Sequence, residues 1–369
     1  MILVMQEGAD VPATVTALTA ATVGQADVRC QVYPATAMGQ ACSEILLMGA
    51  GAELVPFAAA LPGVARVVPL VERYAAIGRH GGALDDLGFR YRGLSFGADQ
   101  LHVFAGLCAV DSRSNVDRTF AALAANGVVT ARAGAYKPRT SPYEFQGHGA
   151  ACLPYVFELA GRHGIQVLAM EVTQERQLEA VQAALMACGQ ATGVMLQIGT
   201  RNAQNFGLLR EVGSQTELPV LFKRGMGIGL EESLNACEYI AAAGNRRIIF
   251  ALRGLRTHLG SPHRNLVDFA HVPVVRRLTR LPVCVDPSHS VGGRDRAPDG
   301  LLDLMHVTAQ GVVAGANMVL VDFHPEPARA LCDGPQALGL EELPHFLADV
   351  QLVRAAYLAR LRLAAGFSG

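Results

Sequence analysis

Eight short runs rich in Val, Ile and Leu alternate with longer amphipathic or Ala-rich segments over the last three quarters of the chain. The runs are Leu101–Val110, Val128–Tyr136, Ile165–Val172, Gly193–Gly199, Pro219–Lys223, Arg247–Leu252, Leu281–Val285 and Asn317–Phe323. Near-continuous apolar runs of this length read as strands buried on both faces, as parallel strands flanked by helices are. Eight strand–helix units predict an α/β architecture closed as a (β/α)8 TIM barrel. An open doubly wound sheet is the competing arrangement, but no Gly-rich dinucleotide fingerprint follows the first run.

Upstream, strand and helix patterns follow the order strand, helix, strand, strand, helix, strand: Ile2–Met5, Val11–Val23, Val28–Tyr33, Glu44–Met48, Leu54–Leu61 and Ala65–Val71. That order predicts a small ferredoxin-like α+β domain, βαββαβ, at the N-terminus. The stretch Ile77–Gly97 is rich in Gly and charge and lacks sustained periodicity, which marks a linker. The expected organisation is residues 1–75 as the small domain, 76–97 as linker and 98–369 as catalytic barrel.

Of the 369 residues, 51% are hydrophobic and 17% charged, enough to build a large core and contrary to the composition of disordered chains. A formal net charge of -1 gives no global attraction to nucleic acid or anionic lipid, so neither is an expected partner. Any anion site must come from a local cluster of Arg and Lys. The 8 cysteines of so long a chain read as reduced thiols rather than a disulfide framework. Met1–Met5 carries no basic stretch, and no apolar run approaches the roughly 20 residues that span a bilayer. A cytoplasmic location is expected.

In a barrel of this kind chemistry sits where strands end and βα loops begin. Those positions hold Cys108 and Asp111; Arg132, Lys137 and Arg139; Glu171; Arg201; Lys223; Arg253 and Arg256; Asp286 and His289; Asp322 and His324. Arg132, Lys137, Arg139, Arg201, Lys223 and Arg253 are predicted to converge on one mouth from different strands. Singly, each is as readily a surface ion pair. Together, planar guanidinium forks and compact ammonium charges suit substrates with more than one anionic group. Cys108, His289, Asp322 and Asp333 form a second group, a thiolate–imidazole–carboxylate set able to hold zinc, iron, manganese or cobalt without selecting among them. A lone strand-end cysteine is more often a small core residue, and the other cysteines are read that way.

At these residues the sequence resembles the 3-deoxy-7-phosphoheptulonate (DAHP) synthase family, of the type with an N-terminal ferredoxin-like domain, related in turn to the 3-deoxy-octulosonate 8-phosphate synthases. The resembling segments are RAGAYKPRTSPYEFQG from Arg132, QIGTRNAQNF from Gln197, KRG from Lys223, RNLVDFAHVPVV from Arg264, VDPSHS from Val285 and HPEPARALCDGPQ from His324. KPRTSP separates the two related groups. The resemblance implies a metal-dependent condensation of phosphoenolpyruvate with erythrose 4-phosphate, the first step of the shikimate pathway and of aromatic amino acid biosynthesis. It implies that Arg132, Lys137, Arg201, Lys223 and Arg253 bind the phosphate and carboxylate of phosphoenolpyruvate, and that Arg139 and Thr140 hold the acceptor phosphate. Asp286 would meet a sugar hydroxyl, Glu171 would sit beside Lys137, and Cys108, His289, Asp322 and Asp333 would hold the divalent metal. Lys137, Cys108 and His289 become the expected catalytic residues, with Lys137 as a proton donor or a charge partner. A homo-oligomer, tetramer or dimer, and an aromatic amino acid effector on the small domain are implied by the resemblance alone.

The sequence departs from the family pattern at Leu107, usually Pro; at Asp111 and Asp322, each usually Glu; at Ala133, commonly Gly; and at Leu252, Glu in close relatives. APDGLLD from Ala297 reads as an insertion. His324 and Glu326 lie close enough to compete for the metal. These departures support two alternatives: a paralogue condensing phosphoenolpyruvate with another aldose phosphate, or an inactive regulatory homologue.

Overall fold

The computed structural model describes residues 1–366 other than Ala26, Met38, Gly39 and Ala83. The expected linker and barrel ranges include Ala83 and Phe367, Ser368 and Gly369, which lie outside the described residues.

The chain opens with β1 (Ile2–Met5), whose four side chains are all buried. Asp10 accepts a hydrogen bond from the Ala13 amide at 2.9 Å and starts α1 (Val11–Ala21), with Pro12 in the first turn, where its missing N–H is harmless. Next come β2 (Arg29–Ala37), β3 (Gln40–Met48), α2 (Val55–Ala59) and β4 (Val64–Val68). The strands pair antiparallel in the order β2-β3-β1-β4, the split βαβ arrangement that the element order predicts.

This small sheet is fastened to the barrel by buried charge. Glu44, on β3, receives a two-pronged hydrogen bond from Arg280 at 2.8 and 2.9 Å and another from Arg246 at 2.5 Å. The Arg246 guanidinium lies 4.1 Å over the Tyr33 ring, whose hydroxyl donates to the Ala241 carbonyl at 2.9 Å. Glu238 of the barrel accepts the backbone N–H groups of Ala76 and Ile77 at 2.6 and 3.2 Å.

The segment that reads as a linker contains a hairpin, β5 (Phe89–Tyr91) and β6 (Leu94–Phe96). Arg92 and Gly93 form its two-residue turn, both with positive φ (50° and 83°), the geometry that matches strand twist. Phe96 is buried against Phe104, Val167, Met195, Ile249 and Met318 on the barrel interior, with Phe89, Tyr91 and Leu94 packed around it. The hairpin thus closes the lower end of the barrel.

Eight parallel strands follow: β7 (His102–Leu107), β8 (Thr130–Ala133), β9 (Val167–Val172), β10 (Gly193–Ile198), β11 (Val220–Lys223), β12 (Ile248–Leu252), β13 (Val283–Val285) and β14 (Met318–His324). Pairing of β14 with both β7 and β13 closes the ring. The intervening helices are α3 (Arg113–Ala125), α4 (Leu153–Arg162), α5 (Glu175–Ala187), α6 (Phe206–Ser214), α7 (Leu230–Ala242), α8 (Val272–Leu278) and α10 (Asp303–Val313). Between β13 and α10 lies the short α9 (Pro287–Val291), and α11 (Leu343–Ala365) follows a two-residue strand, β15 (Leu338–Gly339), beside β14. The fold is a TIM barrel with an N-terminal antiparallel sheet. No helix among the described residues is long and apolar enough to cross a membrane.

Candidate active site

The upper rim of the barrel gathers the polar residues that end its strands. Cys108 follows β7 directly, and its Sγ lies 3.0 Å from Asp333 Oδ2 and 3.7 Å from His289 Nε2. His289 is placed by α9, whose first turn is capped by Asp286: the carboxylate accepts the His289 backbone N–H at 3.1 Å and lies 3.0 Å from ring Nδ1. With Nδ1 beside a carboxylate, Nε2 faces Cys108 and Asp333, the orientation a metal-ligating imidazole takes. Asp333 holds a left-handed backbone (φ 52°), tolerated by Asp better than by most residues, and lies 3.8 Å from His289 Nε2.

Ligand atoms of Cys108, His289 and Asp322 all lie within 4.8 Å of one another, and so do those of Cys108, Cys332 and Asp333. The chemistry of these donors fits a divalent ion of borderline softness. Both oxygens of Asp322 have protein partners: Oδ1 is ion-paired with Arg132, and Oδ2 accepts from Gln336 Nε2 at 2.6 Å. Cys332, a cysteine that the sequence reading leaves among the packing residues, borders this cluster. Its only sequence signal is adjacency to Asp333.

The cleft beside these donors is lined by Lys137, Arg139, Arg201, Lys223, Arg253 and Arg264, against the carboxylates of Glu144, Glu171 and Asp333. Thr140 and His289 also line it. Arg253 is 4% exposed, yet its Nε and Nη1 meet no hydrogen-bond partner. A buried guanidinium with two free donors is costly unless an anion completes it. Lys223 Nζ donates to Asp286 at 2.6 Å, Lys137 Nζ to Cys108 Sγ at 3.1 Å, and Arg201 reaches Thr140 Oγ1 at 3.4 Å. Glu171 accepts from Gln197 at 3.0 Å, and its carboxylate occupies the space that a Cβ on residue 199 would take, so Gly199 lets it sit there unshifted.

Three expected binding residues stand differently from the others. Arg132 is buried beneath the cleft wall in its Asp322 ion pair. Asp286, expected against a sugar hydroxyl, is wholly enclosed, and Lys223 and His289 take its oxygens; it orients both. Arg139 donates to Glu144 at 3.1 Å and to Cys332 Sγ at 2.8 Å from the rim. Sequence reading also gave no role to Arg264, which donates to Asp333 at 3.0 Å and Gln336 at 2.9 Å.

The electrostatics follow from this crowding. The Cys332 side chain hydrogen-bonded to Cys108, then Lys137, Arg132 and His289, outweigh burial and hold the Cys108 thiol well below its ordinary value. Burial disfavours charge on Lys137, but the Cys108, Cys332 and Glu171 charges outweigh it and raise its pKa. Lys137 therefore stays protonated, which suits a charge partner better than a proton donor. For Lys223 burial wins over the Asp286 charge and the pKa falls. Burial opposes the Asp286 charge, yet His289 and Lys223 hold its carboxyl well below the usual range.

His324 and Glu326 do not compete for the cluster. His324 Nε2 lies 2.7 Å from Asp111 Oδ2, and its Nδ1 accepts the Glu326 backbone N–H at 2.9 Å. Asp111 also takes Asn115 Nδ2, so this altered carboxylate serves a polar knot at the start of α3. The Glu326 side chain is turned outward to Arg118 and Arg329.

Comparison with known proteins places this arrangement. Residues 86–357 match the DAHP synthetase I family. The chain belongs to that family. A phospho-2-dehydro-3-deoxyheptonate aldolase of Thermotoga maritima is 40% identical over 239 residues, which cover 65% of this chain and 65% of the relative's own length. A 2-dehydro-3-deoxyphosphooctonate aldolase of Geobacter metallireducens is 32% identical over 166 residues, 44% of this chain and 59% of that protein. Among solved family structures, the DAHP synthase of Thermotoga maritima superposes with a TM-score of 0.69 at 32% identity, covering 96% of this chain and 97% of that one. A truncated form of the Thermotoga maritima enzyme gives 0.65 at 33% identity, covering 77% and 97%.

Proposed function

We propose that this chain is a metal-dependent transferase that condenses phosphoenolpyruvate with erythrose 4-phosphate, giving 3-deoxy-D-arabino-heptulosonate 7-phosphate and phosphate. The observation that carries the reading is the buried, incompletely partnered Arg253 guanidinium facing a cleft with six cationic side chains against three carboxylates. Family membership and the 40% identical Thermotoga relative support the reaction class and acceptor.

In this reading Arg253, Lys223 and Lys137 bind the carboxylate and phosphate of phosphoenolpyruvate deep in the cleft, and Arg201 closes over them. Arg132 acts from behind, fixing Asp322. Arg139 and Thr140, nearer the rim, take the acceptor phosphate, which sets the aldehyde against C3 of the enol phosphate. A divalent ion held by Cys108, His289 and Asp333, with Asp322 beside them, would polarise the aldehyde oxygen. C3 then bonds to the aldehyde carbon while water adds at C2, and phosphate leaves from C2 of the tetrahedral adduct. Lys137, Lys223 and Arg253 stabilise the charge at that end through preset donors. Glu171, fixed by Gln197, bounds the site and faces the Lys137 charge.

The test is phosphate release from phosphoenolpyruvate by metal-loaded protein across a panel of aldose phosphates. Erythrose 4-phosphate is the expected preferred acceptor. A preference for a pentose phosphate would replace the acceptor assignment, and silence with manganese, iron, cobalt and zinc would reject the activity. A homo-oligomer, an aromatic amino acid effector on the small sheet and a cytoplasmic location belong to the same reading; sedimentation and binding assays on the full chain test the first two.

A further inference from the structure

We propose that Asp268 is a positioning residue for the deep end of the cleft: its two oxygens tie the backbone just after Arg253 to the residue just after Lys223, and so set those two cations for an anion. The inference rests on the reading of that end as a phosphoenolpyruvate site.

Asp268 directly precedes the turn Phe269–His271 that leads into α8, a place where a carboxylate ordinarily caps the helix. It makes no such cap. Instead Oδ1 accepts the Gly254 backbone N–H at 2.9 Å, and Oδ2 accepts from Arg224 Nη1 at 3.0 Å. Gly254 follows Arg253 and Arg224 follows Lys223, so one carboxylate, 5% exposed, holds the neighbour of each of two cleft cations. His271 Nδ1, 2.9 Å from the same Arg224 nitrogen, also holds the guanidinium.

Arg224 extends the tie to a third strand end. Its backbone N–H donates to the Ala251 carbonyl at 2.9 Å, and its own carbonyl accepts from Thr200 Oγ1 at 2.7 Å, next to Arg201 in the chain. The Arg256 N–H bonds the Met226 carbonyl at 2.9 Å and joins the loops after β11 and β12 once more. Gly254 has little room to shift: its φ is 85°, and a Cβ there would lie 2.7 Å from the Asn265 Cβ. Burial, then Arg264 and Arg201, lowers the Arg253 pKa against the charges of Asp286 and Asp268, so Asp268 also supports the Arg253 charge directly. A buried ion pair is a weak stabiliser, because desolvation offsets its attraction, and fold stability alone gives little reason for the Arg224–Asp268 pair. Preset spacing of Lys223 and Arg253 gives one, since donors fixed before an anion arrives lose little freedom when they bind it.

Calorimetric titration of the manganese-loaded full chain with phosphoenolpyruvate, together with steady-state kinetics, tests the assignment. Asp268→Asn keeps an oxygen for Gly254 and loses the charge that Arg224 faces. It is expected to raise Kd and KM for phosphoenolpyruvate roughly tenfold or more, with KM for erythrose 4-phosphate nearly unchanged. Arg224→Lys, which keeps the charge and loses the planar fork, should move the same constants in the same direction. The effect of Asp268→Asn should shrink in an Arg253→Ala background, because part of it acts through that side chain. A purely structural role would lower the unfolding midpoint and the active fraction, and hence kcat, while KM stayed the same; that result, or failure of both variants to fold, overturns the proposal. If the unsubstituted protein binds and turns over phosphoenolpyruvate and both variants match it, Asp268 loses its role while the proposed reaction stands. If the unsubstituted protein does not bind phosphoenolpyruvate, the site and the role of Asp268 fall together.

Discussion

Replacing Glu44 by Gln removes the small sheet's buried carboxylate at the barrel and leaves Arg246 and Arg280 buried without their anion. Burial opposes the Glu44 charge, but hydrogen bonds and charge from Arg280 and Arg246 overcome it and lower the pKa from 4.5 to about 2. At about 1.36 kcal/mol per pH unit, that gap corresponds to about 3 kcal/mol favouring the folded state. Removal of one partner from a buried ion pair independently suggests roughly 3–5 kcal/mol. Because the folded-state value is depressed, the stabilisation is full above about pH 4.5, roughly halved near pH 3 and lost as pH falls through about 2. Urea denaturation at pH 7 and at lower pH, followed by far-ultraviolet circular dichroism and Tyr emission, measures it; the chain has no Trp to mask that emission. The Glu44→Gln variant should lose about 3 kcal/mol at pH 7, with the gap to the unsubstituted protein narrowing towards pH 3. A loss below about 0.5 kcal/mol, the range of ordinary surface changes, or a gap independent of pH would refute the reasoning.

Arg253→Ala should raise KM for phosphoenolpyruvate about tenfold or more, since a hydrogen bond to a charged group is worth roughly 1.5–3 kcal/mol; steady-state kinetics with unchanged KM would count against the anion site. Phe96→Ala should cost roughly 3–5 kcal/mol by opening a cavity under the barrel, checked by denaturation midpoints. His324→Gln should leave bound metal at its unsubstituted stoichiometry while Cys108→Ala abolishes it, as read by metal analysis after dialysis.

The barrel was legible because its strands are sealed on both sides. Val167–Val172 and Gly193–Ile198 are buried at every position, so their sequences are almost unbroken apolar runs with sharp ends. The second apolar run, Val128–Tyr136, overshoots its strand, Thr130–Ala133, because the chain stays buried after Ala133 while leaving the sheet. The hairpin in the 77–97 stretch was missed: its strands are three residues each and its turn begins with Arg, a residue that gives no left-handed signal. Phe89, Tyr91, Leu94 and Phe96 alternating about Arg92-Gly93 was the available clue. At the site, residue types announced anion and metal chemistry, but partner choice did not show. Asp322 and Arg132 are 190 positions apart and Cys108 and Asp333 are 225, so only the closed ring reveals which carboxylate is taken and which faces the thiol.

The barrel is a cup and not a pipe: side chains of its own strands fill the interior, and β5–β6 caps the floor beneath them. In the proposed reaction two reactants would enter and two products leave over the same rim, so molecules stack in the order of their depth. Lys223 and Arg253 are nearly inaccessible, whereas Thr140 and Arg201 stand exposed at the lip. A ligand seated on Thr140 and Arg201 would bar the way to Lys223 and Arg253. This order of depth favours phosphoenolpyruvate as the first arrival in the proposed reaction and makes the acceptor its lid.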